Sequence, residues 1–196
     1  RHAQTRGIKR VFIIDFDVHH GNGTQDIFYT DSSVFFLSTH QEGIYPGSGG
    51  KDEIGHMEGE GCTLNVPLPI GTGDKSMQKV FVELVRPAAE RFNPQLILVS
   101  AGFDAHWRDP LAALQFTTNG YYTLAVELDK LAGDLCNGKL VFFLEGGYGL
   151  SALTDSVAST FQALLGMEAN DSLGAAPLPE PDIESLIEIL QTIHKI

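Results

Sequence analysis

A chain of 196 residues, 43% hydrophobic and 19% charged, has the composition of a globular domain with one sizeable core. No apolar run approaches the ~20 residues that span a bilayer, which excludes a helical membrane protein. The net charge of -12 repels phosphate backbones, which argues against direct nucleic-acid binding, and it favours cationic substrates such as basic protein tails.

The chain begins at Arg1, without Met or a signal-peptide pattern, and reads as a piece cut from something longer. The apolar run Val11–Ile14 is short, β-branched and not alternating, as in a strand buried on both faces of a parallel sheet; Val34–Leu37 is a second such run. The stretch 41–61 is long, polar and glycine-rich, a loop of the kind that carries function. Lys75–Phe92 places Met77, Val80, Phe81, Leu84 and Val85 on one helical stripe, and Leu96–Val99 is a third strand. Asn119–Leu135 repeats the helical pattern, Leu140–Leu144 is a fourth strand, and Leu150–Leu165 is a helix following it closely. Strands alternating with helices predict an open, mostly parallel α/β sheet.

Composition then divides the chain into a main body at 1–168, a Pro-rich linker at 169–181 and a terminal helix at 182–196 with Asp182 as N-cap. Cys62 and Cys136 are far apart and outside any CxxC pattern, so they read as two reduced thiols rather than a disulfide or a thiolate metal site.

Three strand ends carry chemistry. The first strand runs into Asp15-Phe16-Asp17-Val18-His19-His20, and in an extended chain Asp15, Asp17 and His19 share one side. Two carboxylates and an imidazole there fit a divalent cation, and they equally fit a hydrogen-bonded acidic turn that caps the next helix. The third strand leads to Asp104, which alone reads as a turn or cap residue. Both acids nevertheless sit at carboxyl ends of strands, where open α/β sheets bind ligands. The fourth strand ends in Glu145-Gly146-Gly147-Tyr148-Gly149, a turn that presents a phenol able to polarise a carbonyl oxygen or simply to pack. Gly21-Asn22-Gly23 lacks the third glycine of a dinucleotide fingerprint, Gly71-Thr72-Gly73 has no Walker pattern after it, and no GxSxG occurs.

Together these pieces resemble the zinc-dependent histone deacetylases and, more widely, the arginase/deacetylase fold. The resemblance is carried by Asp15-Phe16-Asp17-Val18-His19-His20-Gly21-Asn22-Gly23-Thr24, Tyr45-Pro46-Gly47, Ala101-Gly102-Phe103-Asp104 with Asp109-Pro110, and Glu145-Gly146-Gly147-Tyr148, in the family's order. Asn22 and the Glu145–Tyr148 segment resemble the class II branch, which has plant and bacterial members. The resemblance implies a three-layer α/β/α fold, incomplete at its N-terminus, and one zinc ion held by Asp17, His19 and Asp104. It makes Tyr148 the hydrogen-bond donor to the reaction's oxyanion. Asp15 and Asn22 become the partners of a pair of proton-transferring histidines. Asp15 also becomes a ligand of a potassium ion completed by main-chain carbonyls near Asp17, His19, Ser38 and Thr39. Tyr45, Gly147 and Leu111 are assigned to the substrate path. Leu111 stands where an acidic side chain would favour a polyamine, which tilts the substrate toward acetyl-lysine in histone tails or other proteins and away from acetylpolyamines.

His20 points away from the ligand side and is assigned to structure. His40, His56 and His106 are read as surface histidines of polar loops, and Trp107 as rim or packing. The resemblance puts the paired histidines upstream of the first strand, and no residue of this chain is a candidate for them, so the 196 residues hold the metal without the proton-transfer groups. A catalytically inactive binding module is therefore the rival reading from another class. Corepressors or further copies of the chain are the expected partners. The nucleus or cytoplasm, or the plastid for a plant member, is the expected compartment.

Overall fold

The computed structural model describes residues 1–196. In chain order it contains α1 (His2–Thr5), β1 (Val11–Asp15), α2 (Asn22–Phe28), β2 (Val34–Gln41), β3 (Thr63–Leu68), α3 (Asp74–Val80), a π-helical stretch (Phe81–Val85), α4 (Arg86–Phe92), β4 (Leu96–Ala101), α5 (Thr118–Cys136), β5 (Leu140–Leu144), α6 (Leu150–Leu164) and α7 (Glu184–His194). The five strands form one sheet in the order β3-β2-β1-β4-β5 with every pairing parallel, the α/β architecture expected. All of β1 and β2 is buried, which accounts for their unbroken apolar runs.

The pleat sends alternate residues to opposite faces. Phe12, Ile14, Phe35, Leu37, Ile97 and Val99 point into the main core, which the stripes of α3, α4, α5 and α7 complete. Val11, Ile13, Val34 and Phe36 form a smaller cluster on the other face, under Ile8 and Phe28. At the β5 edge that face is bare: Val141 and Phe143, in register with Leu98 and Ser100, are exposed.

Four details depart from the sequence reading. Strand β3 escapes an apolar-run search because Asn65 and Pro67 interrupt it; Pro67 is tolerated because β3 is an edge strand. The helix expected over 75–92 contains the π-helical stretch just before Pro87. Proline has no N–H for the carbonyl one turn back, and Gln191 Nε2 reaches that Glu83 oxygen at 3.5 Å. Asp182 is not the boundary residue of the last helix, which starts at Glu184; its Oδ1 still accepts the Glu184 N–H at 2.8 Å from one position earlier. The Pro-rich stretch has no regular structure but is not free: Trp107 Nε1 donates to the Gly174 carbonyl at 3.3 Å, and Glu180 accepts the N–H groups of Lys75 and Ser76 at the start of α3.

Candidate metal centre

The sheet delivers three loops to one place because β1, β4 and β5 are parallel neighbours whose carboxyl ends lie side by side. Asp15 sits opposite Ser38 on one flank and Ser100 on the other. Beyond it the chain turns so that the Asp15 carboxylate accepts the Asp17 N–H at 3.1 Å, and Asp17 in turn accepts the His19 N–H at 2.9 Å. Asp104 arrives from β4 and accepts the Val18 N–H at 2.9 Å through Oδ1. The ligand-type atoms of Asp17, His19 and Asp104 then lie within 4.8 Å of one another. His19 Nδ1 is 3.0 Å from Asp17 Oδ1 and 3.2 Å from Asp104 Oδ2.

The electrostatics of this cluster are unfavourable without a cation. Asp104 is completely buried and Asp15 and Asp17 nearly so. Burial, followed by repulsion from Asp17, holds the Asp104 carboxyl well above the usual carboxylate range. Asp15 is raised too, by burial first and then by Glu145 and Asp17. Asp104 Oδ2 is buried without a hydrogen-bond donor, and a buried acceptor left in that state costs about 1–3 kcal/mol. Two glycines permit the crowding. A Cβ on Gly102 would lie 2.2 Å from Asp17 Oδ2, and one on Gly146 would lie 2.1 Å from Asp104 Oδ2. Two carboxylate oxygens and one imidazole nitrogen, with an orphaned buried oxygen among them, suit zinc with open positions left for other ligands.

The remaining predicted residues gather around this cluster at different distances. Tyr148, Asn22, Asp15 and Glu145 line one open pocket with Asp17 and His19. The Tyr148 ring is exposed and its phenol stays above the ordinary value, through partial desolvation first and then the charges of Asp104 and Asp17. Tyr45 is exposed with its ring 6.3 Å from that of His19, edge toward face, after a turn with a cis Tyr45–Pro46 bond. Ser38 and Thr39 are buried beside Asp15, and Thr39 Oγ1 donates to the Asp15 carbonyl at 3.5 Å. Leu111 and Gly147 do not line the pocket; Leu111 is exposed on the loop after β4, and Gly147 adopts a φ of 136° open to glycine.

His20 is held by Ser48 at 2.9 Å and Gln25 at 3.0 Å. His56 is exposed, but His40 and His106 are not surface residues. β2 runs four residues further than its apolar run and carries His40 inside, bonded to Ser38 Oγ and the Gly49 carbonyl. His106 is buried where its Nδ1 accepts the Arg108 N–H at 3.1 Å. Desolvation lowers both imidazoles to about 4, so they are neutral packing groups. Sequence patterns gave no sign of Asp109 beyond its Asp-Pro pair, yet its buried carboxylate joins the loops after β4 and β5.

With this geometry in view, comparison with known proteins is unambiguous. A family model described as the histone deacetylase domain matches residues 1–164, and the chain belongs to the histone deacetylase family. It is 61% identical over 170 residues to "Histone deacetylase 14, chloroplastic" of Arabidopsis thaliana and 60% identical over 167 residues to "Histone deacetylase 10, chloroplastic" of Oryza sativa. These alignments cover 86% and 85% of the chain but 40% and 38% of the relatives. A solved structure entitled "Crystal Structure of HDA15 HD domain" superposes with a TM-score of 0.85 at 38% identity, covering 98% of this chain and 52% of that one. The chain thus spans about two fifths to half the length of the proteins it matches.

Proposed function

We propose that the protein to which these residues belong is a zinc-dependent amidohydrolase that removes acetyl groups from lysine side chains, in histone tails or other proteins, and that this chain supplies its metal-holding part. The observation that carries the reading is the convergence of Asp17, His19 and Asp104 within 4.8 Å, with a buried Asp104 oxygen lacking any donor. Bound zinc would supply Lewis-acid polarisation of the amide carbonyl and a lowered pKa for water.

The chain's own residues do the rest of the work assigned to it. Tyr148 donates its hydroxyl hydrogen to the oxygen on which charge develops, a contribution whose loss typically costs ~10²–10³ in rate. Tyr45 lines the approach of the acyl-lysine stem, and Leu111 and Gly147 flank it. Asp15 and Asn22 face the proton-transferring histidines, which the part of the relatives' length not spanned here would provide; by this reading the 196 residues alone bind zinc and turn over no amide. A potassium ion beside Asp15, Ser38 and Thr39 belongs to the same reading, supported by the register of Asp15 with Ser38. The net charge of -12 supports attraction to basic tails, and the two relatives named as chloroplastic support a plastid location.

The test is zinc analysis and deacetylation of an acetyl-lysine peptide by the full-length polypeptide, with Asp104→Ala as control and acetylspermidine as competing substrate. Zinc at one equivalent with peptide turnover, both lost in Asp104→Ala, is the expected result. A zinc-loaded full-length protein that hydrolyses neither substrate would leave a binding module instead.

A further inference from the structure

We propose that Asp109 is a positioning residue that aims the Tyr148 phenol, by pinning the glycine-rich turn after β5 to the loop after β4. The proposal rests on the reading of Tyr148 as oxyanion donor.

The turn Gly146-Gly147-Tyr148-Gly149 cannot fix its own shape. Three of its four residues are glycines, Gly147 adopts a φ of 136°, and the Tyr148 ring is 53% exposed with no hydrogen-bond partner for its hydroxyl within the chain. The direction of the phenol is therefore set by the backbone beneath it. That backbone is held on both sides of the tyrosine. Upstream, the Gly146 N–H donates to Asp17 Oδ2 at 2.8 Å. Downstream, Asp109 Oδ2 accepts the N–H groups of Tyr148 at 2.7 Å and Gly149 at 3.0 Å.

The other Asp109 oxygen, Oδ1, accepts the Leu111 N–H at 3.0 Å, and the Asp109 N–H donates to the His106 carbonyl at 2.7 Å. One carboxylate, 6% exposed, thereby ties the phenol-bearing turn to the loop that presents Leu111. Hydrogen bonds to an ionised acceptor are about twice as strong as neutral ones, which makes three of them an effective clamp. The approach is close at 149 as well: a Cβ there would lie 3.0 Å from the Arg108 carbonyl oxygen and 3.5 Å from Asp109 Cα. Reacting groups misplaced by about 1 Å can lose on the order of 10²-fold in rate, so a slack turn has a kinetic signature.

The experiment is a double-mutant cycle in the full-length protein, with Asp109→Ala and Asp109→Asn each made alone and with Tyr148→Phe. In the Tyr148 background Asp109→Ala should lower kcat ~10–100-fold, within the loss of a whole oxyanion donor, with KM and zinc content little changed. Asp109→Asn, which keeps one oxygen acceptor, should recover part of that. In the Tyr148→Phe background Asp109→Ala should cost less than about twofold, because the group it aims is gone. A loss of equal size in both backgrounds, or a loss that follows zinc content, assigns Asp109 to general stability and overturns the proposal. Full activity in Asp109→Ala alongside a disabled Tyr148→Phe overturns it while leaving the functional reading intact, whereas an unimpaired Tyr148→Phe removes both. Should Asp109→Ala fail to fold, Asp109→Ser and Asp109→Asn carry the same cycle.

Discussion

Gly146 and Asp17 are 129 positions apart, and the N–H of the first donates to Oδ2 of the second at 2.8 Å. The bond brings backbone so near two carboxylates that a Cβ at 146 would sit 2.1 Å from Asp104 Oδ2 and 2.5 Å from Asp17 Oδ2. Neither carboxylate is free to retreat, since Asp104 Oδ1 is held by the Val18 N–H and Asp17 Oδ1 by that of His19. Gly146→Ala should therefore spread the cluster and weaken zinc binding by at least ~10-fold, the scale of a lost supporting contact at a metal site. Isothermal titration with zinc, beside a circular-dichroism spectrum to confirm folding, decides the matter. Unaltered affinity in a folded variant would mean the cluster does not hold the metal.

Zinc should also stabilise the fold. Three carboxylates, Asp15, Asp17 and Asp104, are buried around one turn, and His19 is the only ring among the clustered ligands. A ligand that binds the native state alone contributes about 2.7 kcal/mol at 100 times its Kd. For a domain of this size each kcal/mol is worth roughly 2–4 °C in Tm, so a rise of about 5–10 °C is expected. Scanning calorimetry with zinc, with EDTA and with Asp104→Asn measures it. The shift should vanish in the last two, and a shift of the same size in Asp104→Asn would place the ion elsewhere.

The sequence made the sheet and the Asp17–His19–Asp104 cluster readable for the same reason. Strands such as Val11–Asp15 are buried on both faces, so their apolar runs are unbroken, and the polar residues that follow mark the carboxyl ends where a parallel sheet gathers its chemistry. What escaped lies where a tertiary contact overrides a local pattern. Pro67 hides β3 because only an edge position excuses it. His40 and His106 look like loop residues because nothing local announces that Ser38, Gly49 and the Arg108 backbone will satisfy them in the interior. Asp109 showed only as half of the Asp109-Pro110 match, its role unread for a like reason: its partners at Tyr148 and Gly149 are 39 and 40 positions away.

The Pro-rich segment is expected to contribute to stability through one side chain. Glu180 accepts the N–H of Lys75 at 3.0 Å and of Ser76 at 2.8 Å, capping the first turn of α3 from more than a hundred positions downstream. Partial burial pushes the Glu180 carboxyl up, but hydrogen bonds from the Ser76 side chain and from the backbone of Ser76, Lys75 and Gly73 outweigh it and hold the group below its usual range. Glu180→Ala leaves both N–H groups uncapped and should cost about 0.5–2 kcal/mol, the range for a lost N-cap. Urea unfolding reads this directly. A midpoint equal to wild type would show the segment to be loosely attached.

His194 is 5% exposed at the end of α7, both ring nitrogens lack partners, and Arg91 donates to its carbonyl oxygen. Desolvation, followed by repulsion from Arg91, lowers its imidazole from 6.5 to about 4. The folded state therefore keeps this ring neutral over a range in which the unfolded chain protonates it. Stability rises with pH wherever the unfolded state binds more protons, so the contribution of His194 is complete above pH 6.5 and is lost progressively down to about 4. Asp15 and Asp104, raised when folded, act with the opposite sign across part of the same range, so the wild-type curve alone does not isolate the histidine. The comparison with His194→Phe does, because a ring of similar size without a titrating nitrogen keeps the packing and removes the proton uptake. The difference in urea midpoint between variant and wild type should shift in the variant's favour as pH falls from 7.5 to about 4 and level off below. Parallel curves over that window would show that His194 is solvated, and that its burial against Arg91 is not what the folded chain maintains.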